Sequence, residues 1–409
     1  MFTLRTLSSS LRSPKLLIPL ALLIAAVVLI LNFVRFNIEG DFEGLYLLRG
    51  TNGYLYEVRD DLFLGEFERL IYKVESERLQ KLLTRSNSPE LGDTHLSYKW
   101  HKSGGHGYVE SFFQGGKKLI FCFGRFLDSD NKVPHGLFVG GGLPFSKYEH
   151  SEVKANETGM AYFDGKEWQH IWCNANEALA GGNTPEKMIF PSSWEFLGSN
   201  VLYSDRRQVV LKSSHKALVE GVPLRIDRYA FLRAGDTYFL MAIKITNIGN
   251  RPASYYYVYG DEPWLGEYGT SVGNVGWTAD RLYYYETAID TRKYNWFGMF
   301  DGGNKVVPGE KGDFTNLSNF IEWLGMVRPE VAYFSNKEGK YANEAEKVPL
   351  YSKDNRVLFA QWGPRPIAPD QSETIIMAIG MGTNGPKDPF PKKPEVVIDW
   401  EKFNYALAH

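Results

Sequence analysis

The run Leu16–Val34, LLIPLALLIAAVVLILNFV, is 19 residues long and carries no charge. A helix needs about 20 apolar residues to cross the hydrocarbon core of a bilayer. The stretch therefore reads as a transmembrane signal-anchor spanning 16–36. A helix that is apolar on every face has no polar side to offer water, which argues against a soluble amphipathic helix. Arg5, Arg12 and Lys15 precede the run, whereas Glu39, Asp41 and Glu43 follow it with only Arg35 as counterweight. The positive-inside rule then keeps residues 1–15 cytoplasmic and sends the main domain across the membrane, to a periplasmic or extracellular location. A cleaved signal peptide is the rival reading, with an apolar core of about 7–15 residues ending at a small-x-small site. Here the exit runs through Asn32, Phe33, Val34, Arg35 and Phe36, which are bulky, so an uncleaved anchor is expected.

Beyond the anchor, composition points to strands. Aromatic residues are 15% of the chain and there are 40 glycines, a pair of excesses that favours strands and tight turns over helix bundles. The formal net charge of −2 offers no basic surface for nucleic acid. Cys122 and Cys173 are the two cysteines, both in apolar contexts. In an exported protein they can be a disulfide or two buried thiols. No Cys/His spacing suggests zinc, and neither a metal nor another cofactor is expected. The sequons at Asn156 and Asn316 matter only in a eukaryotic secretory pathway.

Residues 37–95 read as a juxtamembrane segment. GLYLLRG and YLYEV flank Asn52-Gly53, a strong hairpin signal. From Glu66 to Thr84, Phe67, Leu70, Ile71 and Val74 follow the helical i, i+3, i+4, i+7 spacing, with Leu79, Leu82 and Leu83 continuing it, so a helix is expected there. From 96 to 385, short apolar or alternating runs recur between turn residues, among them KLIFCFGRFL, LRIDRYAFLRAG, TYFLMAIKITNIGN, SYYYVYG, RVLFAQWG and ETIIMAIGMG. Regular spacing of short strands implies a sandwich or barrel. Some 290 residues exceed an immunoglobulin-sized sandwich of about 100. The fold expected is therefore mainly β, a large two-sheet antiparallel sandwich behind one N-terminal transmembrane helix. The tail 386–409 opens with PKDPFPKKP, which excludes regular structure, and closes with VVIDWEKFNYAL, a strand or short helix docked on the body.

Two stretches carry a resemblance. Thr237–Tyr259 holds a long strand YFLMAIKITN, the turn Ile248-Gly249-Asn250-Arg251-Pro252 and the strand ASYYYVYG. Ala368-Pro369-Asp370-Gln371-Ser372-Glu373-Thr374 then leads into a further strand. Both resemble the β-supersandwich of galactose mutarotase-like domains, in which a strand ending in Asn is followed by a Pro-containing turn and a late Pro-x-x-Ser turn introduces a final strand. The resemblance implies a carbohydrate-related role, since the fold occurs in aldose epimerases, in accessory domains of polysaccharide-processing enzymes and in exported glucan-biosynthesis proteins. Aldose epimerases place a catalytic His near the end of the strand after the first turn. Here that stretch reads Tyr257-Val258-Tyr259-Gly260-Asp261-Glu262-Pro263-Trp264, and no His occurs between His215 and His409. Mutarotation needs a general acid and a general base, so a standard mutarotase is not expected.

Gly260–Gly269 is the leading candidate site. Asp261, Glu262, Trp264, Glu267 and Tyr268 fall in ten residues of a Gly-rich stretch, and loops on rigid scaffolds carry function. An aromatic ring suits the apolar face of a sugar and carboxylates suit its hydroxyls. Trp277 joins the candidate ligand-binding set, and Trp296, Asn274 and Arg281 could extend it. Glu262 and Glu267 could also form a glycosidase-like pair at the right separation. The alternative is an acidic surface loop with Trp264 packed into the sandwich edge. The cluster Trp168–Glu177, with His170 and Cys173, reads as core, because a reactive Cys needs an exposed electropositive setting. His101 and His106 lack a third metal ligand of recognisable spacing. Asp128–Asn131 lacks the acidic twelfth position of a calcium loop. Gly140–Gly142 lacks the Lys-Ser/Thr of a phosphate loop.

The leading expectation is thus a membrane-anchored, extracytoplasmic carbohydrate-recognition protein of the cell envelope, supporting polysaccharide synthesis, modification or export. The alternatives are a non-catalytic scaffold for an envelope protein partner and a glycan lyase or hydrolase using Asp261, Glu262 or Glu267.

Overall fold

The computed structural model describes residues 42–49, 55–59, 70–73, 94–123, 159–181, 188–189, 195–262, 274–302, 317–336, 356–383 and 391–408, less positions 103, 104, 167 and 173 and with the isolated positions 265, 307, 308 and 349–351 added. The expected anchor Leu16–Val34 lies outside them, as do Asp128–Asn131, Gly140–Gly142 and both sequon asparagines. Among the described residues no helix is long and apolar enough to cross a membrane. The chain divides into two compact units, Met1–Val74 and Glu75–His409.

In the first unit β1 (Phe42–Arg49) and β2 (Leu55–Arg59) pair antiparallel, with Arg49 opposite Leu55. This is the hairpin that Asn52-Gly53 marks. β3 (Leu70–Lys73) pairs antiparallel with β2, Tyr56 opposite Lys73. The helix expected over Glu66–Thr84 is therefore corrected at 70–73. Leu70-Ile71-Tyr72 is rich in β-branched and aromatic character, and a short apolar run can serve either period. Pairing with an available β2 edge decides it.

The second unit opens with a meander of β4 (His95–His101), β5 (His106–Phe112), β6 (Lys118–Phe123), β7 (Gly159–Phe163) and β8 (Trp168–Trp172), each antiparallel to the next. β9 (Asn174–Gly181), β10 (Met188–Ile189), β11 (Glu195–Ser204), β12 (Gln208–Val219), β13 (Val222–Arg233), β14 (Tyr238–Asn247) and β15 (Ala253–Glu262) follow. Then come β16 (Asn274–Trp277), β17 (Leu282–Tyr283), β18 (Thr287–Ile289), β19 (Trp296–Asp301) and β20 (Leu317–Leu324). β21 (Val331–Asn336), β22 (Arg356–Ile367), β23 (Ser372–Thr383) and the helix α1 (Trp400–Ala408) come last. Six strands form a sheet in the order β10-β9-β15-β22-β21-β18, and nine form another in the order β11-β12-β13-β14-β23-β20-β19-β16-β17. The fold is mainly β with several antiparallel sheets. The expected sandwich is built from more than two sheets, because the meander and the six-stranded sheet share the task of covering the nine-stranded one.

Packing shows this sharing. From the meander, Phe121 and Phe123 meet Phe239 of β14 edge-on at 5.6 and 5.5 Å, and the Trp172 indole N–H donates to the Gly380 carbonyl at 3.3 Å. From the six-stranded sheet, Phe334 meets Phe297 of β19 at 5.4 Å. The other face of the nine-stranded sheet carries Tyr229, Phe231, Tyr238, Trp277, Trp296, Phe300 and Phe320, and the C-terminal segment closes it with Phe403 and Ala406 of α1. Lys392 and Thr383 pair as an isolated bridge, the Val397 N–H donates to the Tyr238 hydroxyl at 2.9 Å, and the Phe231 and Phe403 rings lie 4.5 Å apart. The tail expected to dock does so, as a helix.

The two stretches that carry the family resemblance meet at Asn247, which is fully buried. Its Oδ1 accepts from Gly249 N–H at 2.9 Å, and its Nδ2 donates to the Arg251 and Ile367 carbonyls at 2.9 and 3.0 Å. Its backbone N–H donates to the Gln371 carbonyl, and its carbonyl accepts from Asp370 N–H. One amide thus shapes both turns that carry the chain between the nine-stranded and six-stranded sheets. Gly363 sits at the register shift between Tyr255 and Tyr257. Its φ is +121°, and a Cβ there would lie 2.6 Å from the Tyr255 carbonyl, so neither the conformation nor the space admits a side chain.

Near that shift, Glu373 of β23 accepts from Arg365 and from the Tyr255 hydroxyl, and Arg365 also donates to Glu330 at 2.9 Å. Burial pushes the Glu373 carboxyl up. The hydrogen bonds from Arg365 and Tyr255, with the Arg365 charge, overcome this and hold it below the ordinary glutamate value. The stability from this depression is complete above the unfolded-state pKa of about 4.3 and is lost as pH falls through the lowered native value. Glu373→Gln should cost about 1 kcal/mol at neutral pH and less at pH 3, as read by urea unfolding across that range. A penalty that did not change with pH would show that the charge contributes nothing.

Candidate functional site

The Gly260–Gly269 candidate begins at the end of β15. The Asp261 backbone lies opposite Ala175 of β9 and Leu358 of β22, and Glu262 lies opposite Asn174. Both are therefore carried by an interior strand of the six-stranded sheet, flanked on both sides. Trp264, Glu267 and Tyr268 lie outside the described residues. Within 263–273 Leu265 alone is described, and it is buried. Trp277 is 1% exposed. Its indole N–H donates to the Asn319 carbonyl at 3.2 Å, and its ring meets Trp296 edge-on at 4.6 Å. It lies in the core face that α1 covers. Asn274 is buried at the start of β16, and the Arg281 guanidinium lies 5.0 Å from the Tyr283 ring centre. The structure thus brings Trp277 and Trp296 together with each other.

Upstream on the same β15, a buried polar cluster joins the two large sheets. Tyr255, Tyr257 and Tyr259 point inward at alternate positions, and each is at most 1% exposed. The Tyr257 hydroxyl donates to Glu177 Oε1 at 2.8 Å. Arg228 of β13 donates through Nε to both Glu177 oxygens at 2.7 and 2.8 Å, and Arg228 Nη2 lies 2.7 Å from Oε1. Arg228 Nη1 lies 2.9 Å from His215 Nδ1 on β12, and Ser213 Oγ lies 3.4 Å from the same nitrogen. All five side chains are 0% exposed. Burial, with the neighbouring Glu177 carboxylate, pushes the Tyr257 hydroxyl well above its ordinary pKa. A site sealed on every side admits no substrate. The cluster is a clamp between sheets, with each charge satisfied by several partners.

Among the described residues an open concavity lies elsewhere, between the β18–β19 loop and the end of β20. Thr291–Asn295 from the loop, with Trp323, Leu324, Gly325 and Arg328 from the end of β20 and the turn after it, line about 400 Å³. Asp290 folds the loop: its Oδ1 accepts from Arg292 N–H at 3.0 Å, and its carbonyl accepts from the N–H groups of Lys293 and Tyr294 at 3.1 and 3.0 Å. This is the Asx turn that an Asp at that position favours. The Tyr294 hydroxyl donates to Asp280 Oδ1 and accepts from Lys293 Nζ, each at 2.6 Å, and Lys293 Nζ lies 3.0 Å from Asp280 Oδ2. The hydrogen bonds from Tyr294 and then Lys293 hold the Asp280 carboxyl below its ordinary range. At the end of β20 the Trp323 N–H of the backbone donates to the Asn295 carbonyl at 2.9 Å. Asn295 Nδ2 donates to Glu322 Oε1 at 3.0 Å, and Lys393 Nζ meets Glu322 Oε2 at 2.6 Å. Trp323 is 3% exposed and packs on Phe297. Its indole N–H has no acceptor among the described residues.

Neither feature is singled out as a site in the sequence, although the cluster ending at Glu177 reads there as core and Trp172 and Glu177 are buried. The clamp had a signal: Leu224, Ile226, Arg228, Ala230 and Leu232 share one face of β13, all buried, so Arg228 stands where an apolar residue is due. Glu177 does the same on β9. The cleft had none, because its two lining segments lie about 30 residues apart along the chain and each reads as an ordinary turn. His101 and His106 lie opposite each other at the β4–β5 turn. Among the described residues no group of three or more His, Cys, Asp or Glu could hold a metal ion.

No protein-family model matches the chain, and no curated protein matches it. Its fold is similar to those of galactose mutarotase-like and aldose epimerase proteins. A galactose mutarotase-like protein from Clostridium acetobutylicum is 8% identical, over 68% of this chain and 96% of that one, with a TM-score of 0.36. The GalM/aldose epimerase homologue from C. elegans is 8% identical, over 69% and 97%, with a TM-score of 0.32. The Slr1438 protein from Synechocystis sp. PCC 6803 is 12% identical, over 71% and 96%, with a TM-score of 0.35.

Proposed function

We propose that the protein is a carbohydrate-recognition protein, anchored in the membrane by Leu16–Val34, with a supersandwich-type body held outside the cytoplasm at a cell envelope. There it supports polysaccharide synthesis, modification or export. The cleft between Thr291–Asn295 and Trp323–Arg328 is the observation that carries the sugar-binding half. Ligand sites are concavities of about 300–1,000 Å³ with a few fixed polar groups set in apolar walls. This cleft has such a size, and although its lining is more polar than that, Tyr294, Trp323 and Leu324 are among its residues and some of its polar groups are held by Asp280 and Glu322. The carboxylates of Asp261, Glu262 and Glu267, with Trp264 and Tyr268, are a second proposed contact region. The charge step across the apolar run carries the proposed orientation.

The test is thermal unfolding of the full-length protein in detergent against a panel of mono- and oligosaccharides. A ligand bound only by the native state adds RT ln(1 + [L]/Kd), about 2.7 kcal/mol at a hundredfold excess over Kd. A reproducible rise with one glycan class is expected. A flat response at millimolar sugar would replace this reading with the protein-binding scaffold and direct the work to partners co-purifying from membranes. Protease digestion of the body in intact, wall-stripped cells checks the orientation; full protection would reverse it.

A further inference from the structure

We infer that the cleft between Thr291–Asn295 and Trp323–Arg328 takes an acidic sugar unit, one bearing a carboxylate or a sulfate, in preference to a neutral sugar. The inference rests on the carbohydrate reading above. Its first support is charge. Arg292, Lys293 and Arg328 line the cleft, and no carboxylate lines it. Among the described residues the one acid bound to these cations is Asp280, on Lys293 at 3.0 Å. Arg292 and Arg328 are exposed and line the same cleft from different segments of the chain. Neither has an ion-pair partner among the described residues, so two positive charges face the same open volume.

The second support is independent of charge. Trp323 is among the residues that line the cleft, and its buried indole N–H has no acceptor among the described residues. A buried donor without an acceptor costs on the order of 1–3 kcal/mol, and an oxygen of a bound ligand is one way to recover it. Two guanidinium groups match the planar oxygens of a carboxylate or the tripod of a sulfate, with charge-assisted and bidentate hydrogen bonds. A neutral hydroxyl could use the indole N–H but would leave both guanidinium groups merely hydrated. The β20 side is also rigid where it matters. Trp323 is locked by Phe297 and by its backbone bond to Asn295, so the donor is preorganised.

The experiment is isothermal titration of the full-length protein in detergent with four kinds of probe: a galacturonate tetrasaccharide, a heparin-derived tetrasaccharide, neutral malto- and cello-tetraose, and the non-sugar anions inorganic phosphate and phosphatidylglycerol vesicles. The variants are Arg292→Gln with Arg328→Gln, and Trp323→Phe, each first checked for an unchanged unfolding midpoint without ligand. An acidic tetrasaccharide should bind at least tenfold more tightly than the neutral ones. The double Gln variant should lose at least tenfold in that affinity and lose less for the neutral sugars, which narrows the preference. Trp323→Phe keeps the ring and removes the donor, and should weaken binding several-fold with no change in its salt dependence. Equal affinity for acidic and neutral sugars, or acidic-sugar binding unmoved by the double variant, would overturn this inference and leave the carbohydrate reading standing. Binding of phosphate or vesicles but of no glycan would overturn both, making the cleft a site for a free anion or a lipid headgroup. No binding of any probe would also overturn both.

Discussion

Arg228→Ala should destabilise the body by about 3–5 kcal/mol, because it leaves an ionised Glu177 buried without its partner. The geometry makes the penalty severe. Glu177 is 0% exposed, and Arg228 supplies three nitrogen contacts to it at 2.7, 2.8 and 2.7 Å. Among the described residues the Tyr257 hydroxyl alone would remain to hold the carboxylate. A typical domain is stable by only about 5–15 kcal/mol, so the variant sits near the edge of folding. Two milder variants keep the question answerable. Tyr257→Phe removes one hydrogen bond to a charged acceptor and should cost about 1.5–3 kcal/mol. Replacing the pair together, Arg228→Met with Glu177→Leu, removes both charges and should cost less than Arg228→Ala alone. Urea unfolding of the three variants decides the matter. If the double replacement were as damaging as the single one, loss of packing between the sheets would be the cause, and the stranded charge would not.

The clamp also shows how much the chain disclosed of itself. Strand positions in the body followed from short apolar or alternating runs between turn residues, as in Val222–Arg233, where burial alternates only over Val222–Ile226 and then stays continuous through Leu232, because both faces of the strand are covered. Turn chemistry was equally legible. Asn247, Gly249 and Pro252 mark the crossing between sheets, and Asn52-Gly53 marks the first hairpin. What alternation cannot state is which sheet a strand joins. β14 and β15 are neighbours in sequence and lie in different sheets, while Glu177 and Arg228 meet across 51 positions. Helical spacing misled at Leu70–Lys73, where four residues fit either period and pairing with β2 decides. The candidate site suffered from the same limitation. Asp261 and Glu262 stand inside the end of β15, where the sequence suggested a loop after the strand, and the open cleft needs Asp290, Asn295 and Trp323 brought together by the strand order β19-β20. Local motifs carry no information about that order.

Trp277 separates these two levels of reading experimentally. Its neighbourhood of aromatics and carboxylates in the sequence suits a sugar-binding ring, whereas its 1% exposure suits a core. Trp277→Ala should cost about 3–5 kcal/mol, the range for emptying a large aromatic site that cannot collapse. Collapse is restricted here because the ring is wedged between Trp296 and the backbone at Gly298, where the indole nitrogen would lie 2.6 Å from an added Cβ. The same cluster holds Phe403 and Ala406 of α1, so the loss should also loosen the tail. Hydrogen exchange would show it as faster exchange at Val397 and Phe403, whose amides donate to Tyr238 and Asp399. Trp277→Phe keeps most of the apolar volume and should leave sugar affinity per folded molecule unchanged. If Trp277→Phe instead abolished a sugar response while stability held, the ring would be a ligand contact. The C-terminal segment would then have to leave that face of the nine-stranded sheet before a glycan could reach it.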